Sequence, residues 1–208
     1  MKKYFKFIFL TLFFSCVFVS VFAQKIHVGI QTGINSANHF PNVEYSKDVV
    51  RFNLGSVLTY QLTPKISFSL ENGYSQQGNS WQEGKYETFT HLEYFRNAIL
   101  LNYSFFKENV KIRPLIQTGF YYSFLLDMRS DGDYREGFFN STDKGVVFKV
   151  GTRIKLSDKF YIAPVFIFEK GFDGIVNPLP NECLIAMPQN RTLSANISIM
   201  YKVPTRKN

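Results

Sequence analysis

From Gly145 to Leu156 the chain alternates between two kinds of side chain. Val146, Phe148, Val150, Thr152, Ile154 and Leu156 hold the even positions; Val147, Lys149, Gly151, Arg153 and Lys155 hold the odd ones. A period of two puts successive side chains on opposite faces of an extended strand, here one apolar and one charged. The arm is about twice as long as an ordinary globular strand. It is close to the roughly 9–11 tilted residues that cross a bilayer. After Ser157, Asp158 and Lys159 a second apolar-rich arm, 160–168, turns the unit into a hairpin.

The same alternation recurs along the chain. In 25–35, Ile26, Val28, Ile30, Thr32 and Ile34 oppose His27, Gly29, Gln31, Gly33 and Asn35. A second strand is expected at 51–62, with Phe52, Leu54, Leu58 and Tyr60 on one face. A third is expected at 66–76, where Ile66, Phe68, Leu70 and Tyr74 oppose Ser67, Ser69, Glu71, Gly73 and Ser75. The fourth, 92–105, is less regular: Leu100 interrupts its polar side, and a bulge at Arg96 and Asn97 is expected to shift the phase. The fifth (111–125) and the last (191–203) alternate again. Polar segments 36–49, 77–90, 127–144 and 172–190 take turns with tight connections near 63–65, 107–109 and 157–159.

Eight strands with long and short connections in alternation predict an all-β fold. It is an eight-stranded antiparallel up-and-down transmembrane β-barrel with short periplasmic turns and long external loops. An even strand count lets the first and last strands pair and remove the sheet edges. The polarity is inside out: apolar faces point to lipid, and small or charged residues fill the bore. Outward Tyr60 and Tyr201 fall near the turns, and Tyr74 and Tyr122 near the loops, as two aromatic girdles would.

Composition supports strands over membrane helices. Aromatic residues make up 17% of the chain, yet the mean hydropathy is only −0.10. The first residues read as a cleaved signal peptide: Lys2, Lys3 and Lys6, an apolar run over 7–21, and a cut expected after Ala23. The chain then divides into a leader (1–23), a barrel (24–203) and a polar tail (204–208). The expected location is the outer membrane of a Gram-negative bacterium. Of the net charge of +8, the three lysines of the leader carry +3; the remaining +5 is spread along the chain without a basic block, which argues against nucleic acid. The expected partners are outer-membrane lipid and, during biogenesis, the outer-membrane assembly machinery.

On the inward face, Glu71, Arg113, Lys149, Arg153 and Glu169 are expected to form a structural charge network in the lumen, because buried charges must be paired. No cofactor or metal site is expected; the acids between Asp127 and Glu136 do not have the spacing of a calcium loop. His27, His39 and His91 sit in no Ser/His/acid arrangement, so no enzyme is expected. The last long segment carries Leu179, Leu184, Ile185 and Met187 among prolines, together with Cys183, the one cysteine outside the leader. An exposed apolar loop of this kind reads as a contact for a protein partner. The function expected is that of a non-enzymatic envelope barrel acting through its external loops. A narrow transport pore, a lipid-modifying outer-membrane enzyme and a soluble ligand-binding barrel remain as alternatives on the sequence.

Several short runs carry a family resemblance: 21–24 (VFAQ), 28–35 (VGIQTGIN), 60–71 (YQLTPKISFSLE), 74–78 (YSQQG), 113–119 (RPLIQTG) and 156–160 (LSDKF). With these the chain resembles the small outer-membrane β-barrel proteins of Bacteroidetes, the PorT-like barrel family. The resemblance implies an outer-membrane barrel and carries over no functional residue. Two features depart from the family pattern: no proline follows closely on Glu93, and the chain runs past Tyr201 into a polar tail instead of ending on an aromatic residue.

Overall fold

Every strand in the computed structural model pairs antiparallel with its two neighbours. The model describes residues 26–40, 46–83, 86–106, 110–131, 139–174 and 189–204. The strands are β1 (Ile26–Phe40), β2 (Ser46–Gln61), β3 (Ile66–Glu83), β4 (Tyr86–Ser104), β5 (Ile112–Ser130), β6 (Thr142–Lys155), β7 (Phe160–Gly174) and β8 (Gln189–Lys202). They form one closed barrel in sequence order. Closure is made by β1 and β8, in register from His27↔Lys202 to Phe40↔Gln189. The ladder therefore returns on itself and leaves no open edge in the membrane. This is the eight-stranded up-and-down barrel that the alternation predicts. The leader (1–23) lies outside the described residues, as does the tail beyond Pro204.

The outer face is apolar. Ile30 is 62% exposed, Phe120 66% and Phe166 69%, and they belong to a continuous surface of Leu, Ile, Val and Phe around the barrel. Water would penalise such a surface, whereas a lipid-facing band requires it. Aromatic residues gather at its margins. Toward the turns, Phe160 packs at a tilt against Tyr201 at 5.2 Å and Tyr103 meets Phe105 edge-on at 5.3 Å. Toward the loops, Phe52 packs on Tyr74 at 5.6 Å and Tyr122 on Phe124 at 4.9 Å.

Two expectations from the alternation need correction. The polar segment 77–90 is mostly ladder, not loop. β3 and β4 stay in register without a break from Ile66↔Tyr103 to Glu83↔Tyr86, so this hairpin projects well beyond the apolar band. Strands also reach into the other polar segments: β1 runs to Phe40, β5 to Ser130 and β8 starts at Gln189. In the hairpin extension polar side chains stand on both faces, with Gln77, Asn79, Ser80 and Thr90 buried among them, so the apolar–polar alternation vanishes while backbone pairing continues. The second correction concerns β4. It has no bulge at Arg96 and Asn97; the irregularity lies on the β5 side, between the pairs Glu93↔Asp127 and Tyr94↔Leu125, leaving Leu126 as the extra residue. That extra residue changes the phase of β5, so both Leu125 and Met128 pack against the cluster of Leu92, Tyr94 and Phe139.

The projecting hairpin depends on one glycine. Gly78 has φ of +136°, and a Cβ there would lie 2.0 Å from the carbonyl oxygen of Thr90. Gly78→Ala should therefore cost about 1–3 kcal/mol through backbone strain. The expected readout is faster amide exchange confined to the β3–β4 extension, with the barrel still closed. Unchanged exchange there would show that the hairpin does not need this conformation.

Candidate functional site: the filled lumen

The pleat sends one set of side chains inward on every strand. From β3 come Ser67, Ser69, Glu71 and Ser75; from β4, Tyr94, Arg96, Ala98, Leu100 and Asn102; from β6, Val147, Lys149 and Arg153; from β7, Ala163, Val165, Ile167 and Glu169. The bore of an eight-stranded barrel holds side chains and little else. Its filling is divided by composition. The β4–β7 wall contributes an apolar cluster that includes Leu100, Leu115, Tyr121, Val147 and Ile167. On the opposite wall stand amides and hydroxyls: Asn53 and Asn196 exchange hydrogen bonds of 2.9 Å, and Asn35 donates to Ser75 at 2.9 Å.

The ionic groups meet at mid-height. Lys149, only 1% exposed, reaches across the bore and donates to both oxygens of Glu71, at 2.7 Å to Oε1 and 2.6 Å to Oε2. Gln31 Nε2 donates to Glu71 Oε2 at 3.3 Å. On the other side of Glu71 lies Arg96, with Nη1 3.5 Å from Oε2. The Arg96 guanidinium also pairs with Glu169 and lies 5.5 Å from the ring centre of Tyr121. Two cations and two carboxylates thus alternate along one chain, Lys149–Glu71–Arg96–Glu169, and each charge has an opposite neighbour. The cross-strand neighbour of Arg96 on β3 is Gly73, which in turn faces Gly55 on β2. Two adjacent positions on this part of the wall carry no side chain and leave room for the guanidinium.

The network is flanked by packed layers. Toward the turns, Gln117 donates to Asn102 at 2.8 Å, and Asn102 donates to Ser69 at 2.7 Å and Ser67 at 3.1 Å. Arg113 closes this end by donating to the backbone carbonyls of Pro64 at 2.7 Å and Phe106 at 3.0 Å. Toward the loops, Asp143 accepts hydrogen bonds from the Tyr121 hydroxyl at 3.0 Å and Asn190 Nδ2 at 2.9 Å, beneath Leu92, Tyr94 and Phe139. Two cavities of about 30 and 20 Å3 adjoin the ion network. Each has room for about one or two water molecules. Outside the band, the Glu93 carboxyl is held below the usual range, first by a hydrogen bond from Tyr74 and next by one from His91.

Glu71, Lys149 and Glu169 therefore come together. Arg113 and Arg153 are also buried, but they are cross-strand partners nearer the turns, where Arg113 clasps main-chain carbonyls and Arg153 lines the lower cavity. Sequence reasoning missed Arg96, which bridges the two glutamates. Its signal was present: Arg96 shares the even phase of Leu92, Tyr94, Ala98, Leu100 and Asn102. An expected bulge at that position concealed it. Leu179, Cys183, Leu184, Ile185 and Met187 lie outside the described residues.

A family model described as outer membrane protein beta-barrel domain matches residues 22–172. The chain belongs to this family. Among solved structures, this family member is similar to the outer membrane protein OprG from Pseudomonas aeruginosa, with 14% identity, a TM-score of 0.57, and coverage of 86% of this chain and 96% of OprG. It is also similar to Neisserial surface protein A, with 13% identity, a TM-score of 0.53, and coverage of 84% and 96%. At such identities the likeness is one of fold. A comparison with curated proteins found no match. The family and the lipid-facing surface together place this barrel in the outer membrane.

Proposed function

We propose that this outer-membrane barrel does not conduct solutes and is not an enzyme, and that it acts through its loop-bearing end as an envelope interaction protein. The observation that carries the reading is the Lys149–Glu71–Arg96–Glu169 chain across the bore, with water-sized voids beside it among the described residues. A solute path through the barrel would have to break paired, buried charges. The apolar segment with Leu179, Leu184, Ile185 and Met187, beside Cys183, is the proposed partner contact. The short motifs 28–35 and 60–71 support placing the chain near the PorT-like barrels of Bacteroidetes.

Planar-bilayer recording tests the closed lumen. The purified wild-type barrel should give no unitary conductance, whereas Glu71→Ala/Lys149→Ala, which removes the central pair together, should give small openings. Stable wild-type channels would overturn the reading in favour of a narrow pore.

A further inference from the structure

The lipid-facing band contains a polar feature that the barrel alone does not explain. Its outward positions are apolar or aromatic apart from two prolines, a few hydroxyls and two amides. Hydroxyls can bond to the backbone: Thr32 Oγ1 donates to the Asn53 carbonyl at 2.9 Å, and Ser56 Oγ lies 3.5 Å from that of Asn72. The amides are Asn72 on β3 and Asn97 on β4, and they are direct cross-strand partners. Along β3, Asn72 lies between outward Leu70 and Tyr74; along β4, Asn97 lies between Phe95 and Ile99. Both are roughly six or seven residues from the turn end, about 15 Å up a tilted strand and inside a band about 25 Å tall. No described side chain hydrogen-bonds either amide. In hydrocarbon an amide without a partner is costly.

Beside the amides the outer surface has a groove of about 590 Å3, bordered by Leu70, Ile99, Phe120, Tyr122 and Phe172, with Lys144 at its loop-side end. An acyl chain would fill such a groove but offer the amides neither donor nor acceptor. An amide pair is complementary to itself, because each side chain carries two N–H donors and one carbonyl acceptor. A two-fold axis along the membrane normal places Asn72 of one copy opposite Asn97 of the other, and the reverse. We propose that the outer face of β3–β4, centred on Asn72 and Asn97, is the interface of a homodimer within the membrane. Amide hydrogen bonds join the copies at its centre, and Ile99 and Phe95 of each copy pack against Leu70 and Tyr74 of the other.

The test is energy transfer between copies in phospholipid liposomes, labelled at Cys183. Wild-type protein should show transfer that persists as lipid is added, beyond the level from random proximity. Asn72→Leu/Asn97→Leu should associate about tenfold more weakly, the scale of interhelical amide bonds in membranes. Altered gel mobility on boiling verifies that each variant has folded. Ile99→Ala, at an exposed position of the same face, provides a second reading should the double variant fail to fold, and it too should weaken transfer. A monomeric wild type, or folded variants that associate as well as the wild type, would overturn the proposal. A monomeric wild type that retains co-purified lipid, lost in the double variant, would overturn it in favour of a lipid site.

Discussion

Lys149→Ala should destabilise the folded barrel by about 3–5 kcal/mol, because it strands a buried carboxylate. Glu71 is 3% exposed and accepts two short hydrogen bonds from Lys149. With the ammonium gone, Glu71 keeps Gln31 and the longer contact to Arg96, which also serves Glu169. Glu71→Leu/Lys149→Met removes both charges and fills the space with apolar atoms. It should recover most of the loss, since a buried ion pair often contributes little net stability relative to well-packed apolar residues. Arg96 remains paired with Glu169 in that variant. Urea unfolding in detergent micelles or lipid vesicles measures both. A single substitution costing less than about 1 kcal/mol would mean that Glu71 finds water or protonates readily, so that the network does not hold the lumen together.

Phe166→Arg should cost about 2–4 kcal/mol in a bilayer, the range for a cation near the midplane of a lipid-facing strand. Phe166 is 69% exposed, and its cross-strand neighbours are Val150 and Ala195. In water the same exchange at so exposed a position would be nearly neutral. The sign and size of the effect thus report the solvent on the outer face. Reversible folding into lipid vesicles gives the number. A change within about 0.5 kcal/mol would show that position 166 is hydrated, contrary to an outward apolar band.

The inner and outer faces were legible wherever a strand separates lipid from lumen. Val146, Phe148 and Val150 against Val147, Lys149 and Gly151 leave little choice of phase, because a slip by one residue exchanges the faces. Legibility failed in two kinds of place. In 77–90 both faces carry polar side chains, several of them buried, so nothing in the residue pattern separates a paired ladder from a loop. In β4 the inward face contains Leu92, Tyr94, Ala98 and Leu100, because it packs against the apolar half of the lumen. A polar-inside rule cannot place Arg96 in such company. The amides of Asn72 and Asn97 are individually unremarkable in sequence and separated by an entire hairpin. Their meaning depends on register.

By itself the sequence determined the class of structure, the number of strands and, outside β4, which residues face inward. Each of these follows from the alternation of side chains between two environments, a local property written residue by residue. Only the tertiary structure decided which inward charges meet. Lys149 reaches Glu71 across the bore, Arg96 joins Glu71 to Glu169, and Arg113 turns to main-chain carbonyls. Those pairings depend on strand stagger and on closure between β1 and β8, which set the heights of residues on opposite walls. Stagger is a sum over every ladder in the barrel, so no single segment of the chain encodes it.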